Sequence, residues 1–193
     1  GTDERMRNKK TIQLTTDAML AAMCTVLGIF ARFLDFGFIK LSFESFPVLV
    51  AALLFGPVDG IVVGLIGTFL SQLLQYGVDP STPLWILPYC IIGTICGFYA
   101  RKYRYYNTPG QIRLIVSLME VLLFALNTVS LYFYAELVNI FHTEWIGKSG
   151  MTYVLSGLFP RIAVMIIKSA GFSFLMPPLL NALHRFRPGR HAN

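Results

Sequence analysis

Charge is scarce along this chain. Only 13% of its 193 residues are Asp, Glu, Lys or Arg, about half the share found in a soluble domain, so the charged shell that water demands cannot be assembled. The three cysteines, Cys24, Cys90 and Cys96, lie inside apolar runs with no C-x-x-C pairing, and they read as small buried hydrophobes rather than metal ligands. A GxxxxGK[ST] loop is missing, so any nucleotide hydrolysis has to come from another protein. Ser42, Ser45, Ser71 and Ser156 have no local histidine, and His142, His184 and His191 sit in or beside polar segments without ligand spacing. These absences exclude an enzyme and imply neither a metal nor a covalent cofactor. No repeated filter signature of a channel is visible either.

What the chain has instead is apolar length, at 55% hydrophobic residues. Lipid is the solvent that such a composition requires, and about twenty residues at 1.5 Å rise cross a hydrocarbon layer of about 30 Å. The first run extends from Leu14 to Leu34, with Asp17 and Arg32 near its two ends. A polar loop from Asp35 to Glu44, able to carry a short strand, precedes a second run between Phe46 and Gly56 that is too short to cross untilted. Short segments of this kind line cavities or shelter behind neighbours. The third run continues to Gln75 and carries Gly56, Gly60, Gly64 and Gly67, a nearly bare face suited to close helix contact. A fourth extends from Leu84 to Ala100 with Gly93 and Gly97, and a fifth from Ile112 to Leu137. The last, Met151 to Leu183, exceeds one span and is expected to bend or divide at Pro160 and at Pro177-Pro178.

The predicted fold is therefore an all-α membrane protein, a bundle of six transmembrane helices. Most of the 16 basic residues fall in three places: Arg5 to Lys10, Arg101 to Arg113, and Arg185 to Arg190. Six spans put all three clusters, and both termini, on the cytoplasmic side as the positive-inside rule asks. The division follows: a cytoplasmic N-terminal tail over 1–12, whose Gly1-Thr2-Asp3 start reads as a tag remnant without a signal peptide, a membrane domain over 13–184, and a basic cytoplasmic tail over 185–193.

Polar groups inside spans are costly and point to function. Arg161 lies in the outward half of the last span, Asn127 and Thr128 in the middle of the fifth, with Tyr132 and Glu136 beyond them, and Gln72 and Gln75 close the third. Together they can line an outward-facing pocket. Against that, Arg161 can be a structural partner of Glu136 or Glu120, Asn127 can be interhelical glue, and Lys168 can snorkel or meet an inner acid. Trp85 and Trp145 suit either an aromatic belt or a flat wall for a planar ligand, to which Phe36, Phe38, Phe43 and Phe46 can add. In the first run, Ala18 and Ala22 stack on one face beside Ala21 and predict close docking of a helix from this bundle or from another protein.

In order along the chain, Ala18-x-x-x-Ala22, the loop into Leu41-Ser42-Phe43-Glu44-Ser45-Phe46-Pro47, and Leu54-Phe55-Gly56-Pro57-Val58-Asp59-Gly60 opening a glycine-rich helix resemble the substrate-binding S-component of an energy-coupling factor vitamin transporter. Asn127-Thr128, Phe159-Pro160-Arg161 and the stretch from Pro83 to Tyr89 resemble the folate-specific member most. Glu44-Ser45 departs from many relatives, in which a glycine often stands there.

The resemblance implies a bacterial plasma-membrane protein that captures folate on the outer side. It would assemble with a transmembrane coupling subunit and two cytoplasmic ATPases, tipping in the membrane to release its cargo. Ala18 and Ala22 would meet the coupling subunit. Trp85, Tyr89 and loop aromatics such as Phe43 would stack on the flat rings, Asn127, Gln72 or Gln75 would read the pterin edge, and Arg161, Arg32 or Lys40 would meet carboxylate. Tyr132 and Trp145 complete the candidate set. Riboflavin and a queuosine-like precursor are alternative ligands, and an assembly subunit or an independent transporter are alternative functions.

Overall fold

The structure, a computed structural model, describes residues 1–35, 41–105, 107–141 and 150–184, apart from the side chain of Tyr153. Seven α-helices occupy the described residues: α1 Thr2–Ala31, α2 Ser45–Phe55, α3 Pro57–Tyr76, α4 Thr82–Lys102, α5 Pro109–Phe141, α6 Gly150–Ser156 and α7 Leu158–Leu183. Five of them are long and apolar enough to cross a membrane, namely α1, α3, α4, α5 and α7. Their outward faces carry Leu74, Phe98, Leu118, Phe133 and Phe174, each exposed, an arrangement that water would penalise and lipid does not.

The helix expected as a sixth span is α2, with 11 residues. At 1.5 Å per residue it is about 16 Å long, roughly half a hydrocarbon layer. It survives because lipid never reaches most of it: Val48, Leu49, Ala51, Ala52 and Leu54 are 0% exposed. A helix apolar all round is stable only when surrounded, and α1, α3, α4 and α7 surround this one. The loop ahead of it has no strand at Leu41–Phe43.

Two helical groups make up the bundle. In the first, α3 packs between α1 and α4 and all three touch α2; in the second, α5 packs on α6 and α7. Contacts of α4 with α5 and of α2 with α7 join the groups. Glycine sets the spacing within the first. A Cβ on Gly60 would stand 2.7 Å from the carbonyl oxygen of Gly93, and one on Gly93 2.8 Å from the backbone of Gly60, so α3 and α4 touch backbone to backbone. Gly97 meets Pro57 in the same seam, and Gly67 packs against Cys24 and Ala21 of α1.

Between α2 and α3 the chain turns at Gly56, whose φ of 106° is open to glycine and strained for other residues. The Tyr105 hydroxyl closes this corner by donating to the Phe55 carbonyl at 3.2 Å. At the same end of the bundle, Gln13 of α1 donates to both carboxylate oxygens of Asp59, at 3.0 Å each.

The last apolar run divides, but at Gly157 rather than at Pro160. Pro160 falls in the first turn of α7, where its missing N–H has no intrahelical partner to lose. Pro177 and Pro178 remain inside α7. At the other end of the chain α1 is longer than the apolar run predicts, and its extra turns, from Thr2 to Ile12, are exposed.

Replacing Gly60 or Gly93 with leucine is predicted to separate α3 from α4 at a cost of about 3 kcal/mol, the upper end of ordinary overpacking. Thermal unfolding of the detergent-solubilised protein measures this, and Gly110→Leu, where a Cβ meets nothing closer than 4.0 Å, is the matched control.

Candidate functional site

A recess of about 570 Å³ opens between the two helical groups. It lies toward the end of the bundle where α1, α3 and α5 finish and where α2, α4 and α7 begin. One wall is supplied by α3, α4 and the residues leading into α2, the other by α5 and α7.

On the second wall, register decides which side chains meet. Glu120, Asn127 and Tyr134 recur every seven residues on α5, as do Arg161 and Lys168 on α7, and two turns of helix return each series to one face. All five line the recess. Along α7 the seven-residue step amounts to about 10 Å, so Arg161 lies near the mouth and Lys168 near the floor.

Arg161 Nη2 donates to Thr128 Oγ1 at 2.9 Å, and the guanidinium carbon sits 5.0 Å from the centre of the Phe124 ring. Its Nη1 is buried and has no hydrogen-bond partner among the described residues. A guanidinium carries five N–H donors in a planar fork, so the side chain keeps donor capacity for an acceptor that enters the recess. Of the two acids proposed as structural partners, Glu120 lies beside Lys168, and Glu136 accepts the backbone N–H of Gly150 at 2.8 Å.

The floor is a connected polar cluster. Glu120, 2% exposed, holds one oxygen 3.3 Å from Lys168 Nζ and accepts the Ser45 hydroxyl at 2.7 Å with the other. One carboxylate thus ties α5 to α7 and to the first residue of α2. Above it, the Tyr89 and Ser42 hydroxyls lie 3.4 Å apart. On the first wall Trp85 packs against Tyr134 across the α4/α5 boundary, with ring centres 5.6 Å apart. Flat aromatic surface and a few directed polar groups are what a planar polar ligand requires.

Of the residues singled out from sequence, Gln72, Trp85, Tyr89, Asn127 and Arg161 come together around this recess. Others do not. Arg32 is exposed in a short 3-10 turn, Arg32–Leu34, after α1. Phe43 packs on Phe172, with ring centres 6.0 Å apart. Gln75 turns along its own helix and donates to Ser71 Oγ at 2.8 Å.

Tyr132 follows Asn127 by five positions, which places it about 140° around α5; it stacks edge-on with Phe133 outside the recess. Lys40 and Trp145 lie outside the described residues. Ala18 and Ala22 are exposed on α1, whereas Ala21 between them is buried against α3. The patch therefore faces away from the bundle.

Sequence reasoning passed over Glu44 as a recess residue and set Glu120 and Lys168 aside as inner groups; all three line it. The seven-residue spacing from Glu120 to Asn127 and from Arg161 to Lys168 was the available signal.

A lipid-facing helical bundle that holds a half-polar recess near one end is a membrane protein built to bind a small solute. The chain belongs to the family described as ECF transporter, substrate-specific component, which matches residues 12–180. That is a transport family and not an enzyme family.

The chain is 27% identical to the riboflavin transporter RibU of Staphylococcus aureus over 185 residues, 93% of this chain and 94% of that protein. It is 26% identical to a UPF0397 protein of Lacticaseibacillus casei over 167 residues, 84% of this chain and 88% of that one. A UPF0397 protein of Streptococcus thermophilus is 26% identical over 98 residues, so the chain spans about half, 53%, of that relative's length.

Removing one member of the floor pair leaves the other buried and uncompensated. Lys168→Met is predicted to lower stability by about 3 kcal/mol, and Lys168→Met combined with Glu120→Leu to cost less than the sum of the two changes. Chemical denaturation in detergent, run as a double-mutant cycle, checks both expectations.

Proposed function

We propose that this protein captures folate in the recess and delivers it through an ATP-driven importer, without hydrolysing ATP itself. The observation that carries the reading is Arg161, a half-buried guanidinium whose buried Nη1 has no hydrogen-bond partner among the described residues, set in a recess that also holds Trp85, Tyr89 and Asn127. Folate joins a flat pterin, an aryl linker and a tail with two carboxylates. Trp85 and Tyr89 would stack on the rings, Asn127 and Gln72 would hydrogen-bond the heterocycle, and Arg161 would hold a tail carboxylate with two N–H donors.

In this reading the recess opens to the outside of the plasma membrane and both termini are cytoplasmic. The outward-facing Ala18 and Ala22 present a flat strip of backbone to a transmembrane coupling subunit, on which two ATPases act. Riboflavin is the second reading, favoured by the end-to-end similarity to a riboflavin transporter.

Equilibrium binding to the purified protein separates the two. Submicromolar, stoichiometric folate binding with weak riboflavin binding is the expected result, and mass spectrometry of small molecules released from the bundle provides an independent check. The reverse preference would replace folate by riboflavin.

Arg161→Met is predicted to weaken folate at least about tenfold, the scale of one lost charge-assisted hydrogen bond, while leaving the thermal midpoint within a few degrees. Enlarging Ala18 and Ala22 to leucine is predicted to abolish co-purification with the coupling subunit and to leave folate affinity unchanged. Intact assembly in that variant would remove the patch from the partner interface.

A further inference from the structure

Glu44 is 4% exposed and lines the recess. Its Oε1 would stand 2.7 Å from a Cβ placed on Gly28, and that Cβ would also strike the Ser71 hydroxyl. The carboxylate therefore rests on bare α1 backbone beside α3, and Gly28 makes the room for it. Arg161 belongs to the opposite wall, on α7 against Thr128 of α5. Glu120, the other buried acid of the recess, is taken up by Lys168 and Ser45. Glu44 and Arg161 thus stand on opposite walls of the recess.

We propose that Glu44 is the specificity-determining residue of the recess, selecting a heterocycle whose edge offers two adjacent N–H donors and rejecting one whose edge is a dicarbonyl imide. The inference rests on the capture of a planar vitamin described above and deepens it. Two carboxylate oxygens accept side by side, so a ring N–H next to an exocyclic amine, as in a 2-amino-4-oxo pteridine, matches them with two charge-assisted bonds. An imide offers one N–H between two carbonyl oxygens, and both oxygens meet the carboxylate with like partial charge. In a site shielded from water this repulsion is not screened, and specificity arises as much from the rejected ligand as from the accepted one. Glu44 thereby favours a pterin over a flavin, independently of the tail that Arg161 would hold.

The test uses ligands without the glutamate tail, so that Arg161 does not enter. Wild-type protein in detergent is titrated with 6-hydroxymethylpterin and with the corresponding 2,4-dioxo compound, 6-hydroxymethyllumazine, which keeps the ring and changes only the edge. At least about tenfold tighter binding of the pterin is expected, the scale of one charge-assisted hydrogen bond. Equal affinities would overturn the assignment whatever any variant does.

Glu44→Gln, which exchanges one acceptor for a donor, is expected to reduce pterin binding, to raise lumazine binding relative to it, and to leave the Arg161-dependent gain of folate over the tail-less pterin intact. A uniform loss of all ligands from a folded Glu44→Gln protein would mean that Glu44 only holds the loop, and the proposal fails. Folate binding with no edge preference defeats this inference and leaves folate capture standing. Failure of the wild type to bind any pteridine or flavin defeats both.

Discussion

Hydrocarbon offers no hydrogen bonds, and from that single constraint the arrangement of this protein follows. Every polar side chain within the spans has to find its partner inside the bundle, and the spans have to meet one another without help from a hydrophobic effect. The α3/α4 seam meets the second demand through Gly60 and Gly93, where backbone touches backbone. Glu120 meets the first by accepting Ser45 and pairing with Lys168. Because these three residues belong to α5, α2 and α7, satisfying one carboxylate also fixes where the two helical groups stand, and hence the width of the recess between them.

The short helix α2 shows the same constraint from the other side. An 11-residue apolar segment cannot carry its end groups across lipid, so it is stable only inside a ring of longer helices. That burial brings its first residue, Ser45, to the floor of the recess and the preceding Glu44 to its wall, rather than to a membrane surface. A segment too short to span thus becomes the element that delivers polar groups to mid-bundle depth.

Much of this was legible in the chain before its structure. Run lengths and sparse charge pointed to five long apolar helices, whereas the short second run, counted as a sixth span, left tilt and shelter equally open. The glycine spacing announced the close seam, although it did not say which helix would fill it. Gln72, Trp85, Tyr89, Asn127 and Arg161 were legible as recess-lining residues because each is a polar or aromatic group in an otherwise apolar span.

Gln75 and Tyr132 satisfied the same criterion and went elsewhere. A hydrogen bond within its own helix claims Gln75, and helical phase turns Tyr132 outward. Neither outcome follows from residue type, which does not carry register between helices. Arg32 falls in the exposed 3-10 turn that follows α1 and so stays outside the recess. Glu120 and Lys168 were discounted on depth alone, although their seven-residue spacing from Asn127 and Arg161 already placed them on the same faces.

The recess treats its two kinds of charge unequally, and that inequality bears on what it can hold. Lys168 and Glu120 compensate each other, so their joint field falls off quickly and they act on a ligand mainly as fixed hydrogen-bonding groups. Glu44 and Arg161 stand on opposite walls, each partly committed to the protein, and the field between them is directional. A neutral planar molecule gains little from such a field, whereas one with donors at one end and a carboxylate at the other is oriented by it before any close contact forms. The aromatic surfaces of Trp85 and Tyr89 hold a ring without regard to which end leads. Orientation has to come from the directed polar groups, and the glycine at position 28 is the small residue that lets Glu44 sit where it does.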